Sequence, residues 1–245
     1  MQITILENAD RIGYQAAKAC EQLLNDAIRE QGEARIVLST GASQFEFLKH
    51  FVTMNIEWDK VEMFHLDEYI ALPESHPASF RKYLKERFLQ FVNVKQAWLV
   101  DGEGDVEATI RRLNEEIARK PVDLALIGIG VNAHIAFNDP PADFETETPY
   151  KVVNLDDTCK LQQVGEGWFP TIDDVPKQAI TMTVKQILKS RNIVSVVPHA
   201  VKADAIANTL REGIDPNIPA TILKTHPAWQ LYIDYASAAK VVKMP

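Results

Sequence analysis

Apolar residues recur at Ile12, Ala16, Cys20, Leu23, Leu24, Ala27 and Ile28, the spacing of one helix face, and the pattern stops near Gly32. Asp10 stands at the N-cap position of this predicted helix, whose charged residues form a solvated face. A second helical period uses Val106, Ile110, Leu113 and Ile117 within 105–119. Further helices are predicted over 79–91 and 218–225, around Phe45, Leu48 and Phe51, and around Ala205, Ile206 and Leu210. Between them lie short apolar runs of strand length at 2–6, 36–38, 61–66, 97–100, 179–184, 192–197 and 229–233. From Val122, the run Val-Asp-Leu-Ala-Leu-Ile reads as a strand buried on both faces before the chain turns polar and glycine-punctuated toward Pro140. Strand and helix thus alternate, which specifies an α/β fold with a mainly parallel open sheet, right-handed crossovers and helices on its faces. The pattern loosens only over 141–178, where Gln162 to Pro170 combines glycines with Trp168 and Phe169. That stretch reads as a long connection or as a lid, with the lid favoured.

With 245 residues the chain can bury one sizeable core, and a single domain over 1–245 is expected. Its formal net charge of -8 argues against nucleic acid as a partner, because duplex binding needs a basic face. No stretch is apolar for long enough to span a membrane, and residues 1–10 show no targeting segment. Two cysteines, Cys20 and Cys159, make no disulfide framework and fit a cytoplasmic location. Cys20 falls on an apolar helix stripe, and nothing near Cys159 in sequence activates it.

In open α/β sheets ligands collect beyond the carboxyl ends of strands, which puts Gly128, Gly130, Asn132, His134 and Asp139 at a binding position. Ala133 occupies the place of a third glycine, so a dinucleotide fingerprint is weak. A carboxylate near an imidazole fixes its tautomer and tunes its pKa, which marks His134 with Asp139 as a proton-handling pair. After the second strand, Ser39-Thr40-Gly41-Ala42-Ser43 followed by a helix is the physical arrangement for holding a phosphate; it is also that of an ordinary β-to-α turn. Asp67 and Glu68 end the 61–66 strand, where an acid is a candidate base or plain surface charge; alternation turns Glu68 away from whatever Asp67 faces. Lys202 opposes the dipole of the helix it opens, which hints at a bound anion. His65 and His76 are packing or loop residues. No Cys/His cluster with zinc spacing is present, and no metal is expected.

The stretch Gly-Ile-Gly-Val-Asn-Ala-His-Ile-Ala-Phe-Asn-Asp-Pro, 128–140, resembles the signature of the glucosamine-6-phosphate deaminase family, within the superfamily that also holds 6-phosphogluconolactonases. It departs at Ala133, where the family has glycine, and at Asp139, where glutamate is commoner. Thr40, Gly41, Ala42 and Ser43 resemble the family's phosphate loop, with Ala42 and Gln44 in place of a glycine and a proline. Asp67-Glu68-Tyr69 resembles the segment whose aspartate abstracts a proton, and Lys202-Ala203 resembles its phosphate-binding lysine. The resemblance implies a three-layer, Rossmann-like sheet, no cofactor, and a small sugar phosphate as ligand. It implies conversion of glucosamine 6-phosphate and water to fructose 6-phosphate and ammonia. Asp67, His134, Asp139 and Asn132 would then be catalytic, and Thr40, Gly41, Ala42, Ser43 and Lys202 would bind substrate. Asn132 lacks the charge of the aspartate found there in other members, which leaves Asp139 to stabilise an imidazolium. A lid arginine of several members has no clear counterpart, and neither Lys151 nor Lys160 is assigned to its role. Self-association into a homo-oligomer stays open, since members differ in assembly. Two rivals remain: a lactonase-like hydrolase, disfavoured by Ile135-Ala136-Phe137-Asn138-Asp139, and a sugar-phosphate sensor without turnover.

Overall fold

The structure is a computed structural model that describes residues 1–241. In chain order it runs β1 (Gln2–Leu6), α1 (Ala9–Gln31), β2 (Ala34–Leu38), α2 (Phe45–Phe51), β3 (Val61–His65), β4 (Asp67–Tyr69), α3 (Phe80–Leu84), β5 (Gln96–Trp98) and α4 (Val106–Ala118). It continues with β6 (Leu124–Leu126), β7 (Tyr150–Asn154), α5 (Asp157–Gly165), β8 (Gln178–Met182), α6 (Val184–Leu188), β9 (Asn192–Val197), α7 (Ala203–Arg211), β10 (Trp229–Asp234) and α8 (Tyr235–Ala238).

Seven strands pair in parallel in the order β1-β10-β9-β6-β2-β3-β5. Their alternation sorts side chains onto two faces. Ile36, Leu38, Met63, Leu124 and Val194 point to the side covered by α1 and α2, with Ile12, Ala16, Leu24, Phe47 and Phe51. Val37, Phe64, Ala125 and Ile193 point to the other side, against Leu113 and Ile117 of α4 and Ala205 and Ile206 of α7. Both faces being covered explains why these strands read as continuous apolar runs. From β2 the chain moves outward through β3 and β5, and from β6 in the opposite direction through β9 and β10. The reversal between β2 and β6 opens a crevice at the carboxyl ends of those strands, the favoured ligand position in such sheets.

Two expectations are corrected. Helix α1 is capped by Asn8, whose side chain accepts from Arg11 N–H at 3.0 Å, while Asp10 lies in its first turn. The run 61–66 does not continue straight to Asp67. After His65 the backbone leaves the main sheet, and β4 pairs antiparallel with β8, which pairs antiparallel with β7. This small sheet carries Tyr69, which packs with Phe137, Leu155, Cys159 and Phe169 in a third apolar cluster over the crevice. Among the described residues no helix is long and apolar enough to cross a membrane.

Candidate active site

The crevice is a cleft of about 230 Å³ whose walls include Ser39 to Ser43, Asp67, Gly128, Gly130, His134 and Lys202. Residues predicted from segments more than a hundred positions apart therefore meet in one cavity.

At one end the chain leaves β2 through Gly41 (φ 100°), a backbone conformation that L side chains rarely adopt. A tight turn, Ala42–Gln44, follows before α2, and its first N–H groups have no acceptor within the turn. Tyr83 Oη donates to the Gly41 carbonyl at 2.9 Å and fixes the loop. Gln44 Nε2 donates to Ser43 Oγ at 3.0 Å and to the Val196 carbonyl at 3.1 Å, tying the loop to β9. With its oxygen engaged as acceptor, the Ser43 hydroxyl keeps its proton for a ligand. Lys202 closes this end, 7% exposed, with no carboxylate within ion-pair distance among the described residues. Burial lowers its pKa, and the Glu166 charge acts in the opposite sense. The turn that delivers Lys202 passes through His199 (φ 80°), whose N–H donates to both Asp234 carboxylate oxygens at 3.1 Å.

The other end is built from the loop after β6. Gly130 N–H donates to the His134 carbonyl at 2.9 Å, and Ala133 N–H to the Gly130 carbonyl at 3.0 Å, which curls the loop so that the imidazole faces the cleft. A Cβ on Gly130 would lie 2.3 Å from His134 Cε1, so any larger residue there would push the imidazole aside. Ala133 has φ 66° and Ala136 φ 52°, so the loop does require the left-handed region at the alanine that replaces glycine. Asn138 Nδ2 donates to the Ile135 and Met182 carbonyls at 2.8 and 2.9 Å, and Phe137 N–H donates to Thr181 Oγ1 at 3.0 Å. The small sheet thereby pins the strained loop.

His134 Nδ1 lies 3.1 Å from Asp139 Oδ1, an ion-pair approach off the alignment of a full hydrogen bond. Burial opposes the charge on Asp139, yet His134, Asn132 and Cys159 together hold its carboxyl below the usual value. Asn132 Oδ1 accepts from His134 N–H at 3.1 Å, and its Nδ2 donates to Asp139 Oδ1 at 3.3 Å. Asn132 and Asp139 thus stand behind the imidazole and do not line the cleft. Asp67 does line it, and burial with the neighbouring Glu68 charge pushes its carboxyl up to about 8. Glu68 faces away as alternation requires, accepting from Tyr69, Phe80 and Arg81 N–H and from Ser79 Oγ.

His65 is buried and His76 stacks on Phe169, both outside the cleft. Lys151 pairs with Asp143 at 2.7 Å and Lys160 with Asp157 at 3.2 Å, and neither reaches the cleft. Cys159 is buried against Asp139, and burial raises its thiol far above the ordinary range, so it is no nucleophile. Sequence reasoning gave no individual role to Ser39, Tyr83, His199, Gln163 and Glu166 on the cleft wall or to Gln44 as a tether. Ser39 stood at the head of the phosphate-loop stretch without being singled out. The others depend on tertiary placement.

A family profile described as glucosamine-6-phosphate isomerases/6-phosphogluconolactonase matches residues 7–231. A glucosamine-6-phosphate deaminase of Lactobacillus delbrueckii subsp. bulgaricus is 32% identical over 240 residues, covering 98% of this chain and 99% of that protein. One of Streptococcus pneumoniae is 35% identical over 228 residues, covering 93% of each. Among solved structures, a monomeric glucosamine-6-phosphate deaminase superimposes with a TM-score of 0.88 at 29% identity, covering 98% of this chain and 100% of that one. The 6-phosphogluconolactonase of Trypanosoma brucei shares the fold at a TM-score of 0.80 and 13% identity, covering 98% of each chain. The cleft at the sheet reversal and the match along nearly the whole chain lead to one statement: this protein belongs to the glucosamine-6-phosphate isomerase/6-phosphogluconolactonase family.

Proposed function

We propose that the cleft isomerises and deaminates an amino-sugar phosphate, converting glucosamine 6-phosphate and water to fructose 6-phosphate and ammonia. One observation carries the reading: the buried ammonium of Lys202, without an ion-pair partner among the described residues, the Asp67 carboxyl and the His134 imidazole open into the same cavity. The Lactobacillus and Streptococcus relatives, named for this activity, support it along nearly the full chain.

In this reading Lys202, the Ser43 hydroxyl and the N–H groups of the Thr40–Gly41–Ala42–Ser43 loop hold the phosphate. His134 moves a proton at the ring oxygen and opens the pyranose. Asp139 orients the imidazole and stabilises its charged form, with Asn132 bridging the two. Asp67, once ionised, takes the proton from the carbon bearing the amine and returns it to the neighbouring aldehyde carbon. The protonated imine so formed adds water and expels ammonia, leaving the ketose. General acid–base help of this kind contributes roughly 10²–10⁴-fold per group. The cleft-facing imidazole beside Ala133 supports turnover over a binding-only role.

The segment 141–178, which lays α5 over the cleft mouth, acts as a lid in this reading, and the chain forms one domain. A sugar-phosphate ligand and two free, buried cysteines support a cytoplasmic setting. The solved relative described as monomeric supports a cleft complete without a second subunit. The test is an assay of ammonia and ketose phosphate released from glucosamine 6-phosphate. Equal amounts of both are expected. Lactone hydrolysis without ammonia would replace the reading with a lactonase, and binding without product would replace it with a sensor.

A further inference from the structure

The wall of the cleft formed by α5 and the turn behind it differs chemically from the anion end. Gln163 is 7% exposed and lines the cavity, and its carboxamide has no hydrogen-bond partner among the described residues. That amide opens to the cavity, where a ligand can supply the partners the protein does not. One turn further on, Glu166 also lines the cavity. Gln162 Nε2 donates to Glu166 Oε1 at 2.7 Å, and Trp168 Nε1 donates to Oε2 at 3.2 Å. Both tethers are neutral, and no cation stands within ion-pair distance of Glu166 among the described residues. An exposed glutamate is ordinarily a solvated surface charge; this one is held by two side chains that themselves line the cleft.

Charge balance gives these groups a task. The cleft wall carries Lys202 against the carboxyl groups of Asp67 and Glu166. A phosphorylated sugar without a cation would bring its negative charge past the Glu166 carboxylate and past Asp67, whose carboxyl is pushed up to about 8. A sugar bearing an ammonium would bring a partner for one of them. A carboxamide, donor and acceptor at once, suits a hydroxyl.

We propose that Gln163 and Glu166 are specificity-determining residues: Glu166 receives the ammonium of the entering amino sugar, and Gln163 binds a neighbouring hydroxyl. The assignment rests on the amino-sugar-phosphate reading of the cleft and adds how that sugar is told from one without nitrogen. The lid wall reads the sugar while Lys202 and the Ser43 loop read the phosphate.

The test measures dissociation constants calorimetrically for glucosamine 6-phosphate, glucose 6-phosphate and inorganic phosphate. The Asp67→Asn protein prevents turnover, and Glu166→Gln or Gln163→Ala is added to it, with near-ultraviolet circular dichroism as the folding check. Glu166→Gln should cut the preference for the amino sugar over glucose 6-phosphate about tenfold. It should also bind inorganic phosphate up to about twofold more tightly, because a negative charge near Lys202 is gone. Gln163→Ala should weaken both sugars about tenfold and leave inorganic phosphate unchanged. Equal weakening of both sugars by Glu166→Gln, or no change in either, overturns the ammonium role. A parallel loss of inorganic phosphate in Gln163→Ala overturns the hydroxyl role. If inorganic phosphate binds but neither sugar phosphate does, the amino-sugar reading itself falls, an outcome distinct from the other two.

Discussion

The two ends of the cleft are built by opposite means. At the anion end, backbone N–H groups after β2 and one buried ammonium after β9 face inward from a rigid parallel sheet. At the proton end the chemistry resides in side chains, and these sit on a loop that spends backbone strain at Ala133 and Ala136 to aim His134. Amides do not depend on side-chain identity, which is why Ala42 and Gln44 can stand in the loop without dismantling it. An imidazole depends on the space beside it, and Gly130 leaves that space with nothing to spare. The comparison teaches that tolerance to substitution in this cleft follows from whether the working group belongs to the main chain or to a side chain.

The sharpest way to break that contrast is Gly130→Ala. Its Cβ would fall 2.3–2.5 Å from three atoms of the His134 ring, so the imidazole must move. Displacements of about 1 Å can cost on the order of 10²-fold in rate. Steady-state kinetics should show that loss in kcat, while inhibition by inorganic phosphate stays within about twofold of the parent. Next comes Lys202→Ala, which removes the cation of the anion end. KM and the phosphate inhibition constant should both rise by roughly 10–100-fold, with kcat altered far less. If kcat fell as steeply as KM rose, the two ends would not be separable.

A third, smaller effect concerns pH. In the free protein Asp67 should titrate near 8, seen as the carboxyl resonance that Asp67→Asn removes. Because its folded value lies above the ordinary one, its contribution to stability is intact below about pH 4 and is lost as pH rises through about 8. The Asp67→Asn protein should therefore match the parent in stability at pH 4 and exceed it by at least about 1 kcal/mol at pH 8. An inflection in the usual carboxylate range would remove the burial argument. The smallest effect is Ala133→Gly, expected to raise stability by up to about 1 kcal/mol by relieving the left-handed backbone, with activity retained. A loss of stability would show that the loop strain is supported by something other than the small sheet.

How much of this was readable from the chain divides along the same line. The strands of the main sheet announced themselves because both faces are covered, and the anion end followed because strand, small polar loop and helix lie together in sequence. The departure of the backbone after His65 did not announce itself. Nothing local distinguishes 61–66 from a straight strand, since β4 exists only through its pairing with β8 more than a hundred residues away. Helix α5 was missed for a different reason. It buries Gln163 and exposes Leu161, the reverse of the apolar pattern, because it faces a ligand cleft more than a core. Asn132 stood among the catalytic residues the resemblance implies, but its bond is to the backbone N–H of His134 and not to the ring, a distinction sequence does not contain. The absence of a lid lysine or arginine from the cleft also became meaningful only once Lys151 and Lys160 were seen occupied by Asp143 and Asp157.

The division of labour between the ends is tested most directly by comparing binding and turnover in Asp67→Asn. The account predicts that glucosamine 6-phosphate binds the variant within a few-fold of the parent's KM, while release of ammonia and fructose 6-phosphate falls by at least about 10³-fold. Turnover at the parent's rate, or loss of binding in step with loss of turnover, would contradict it.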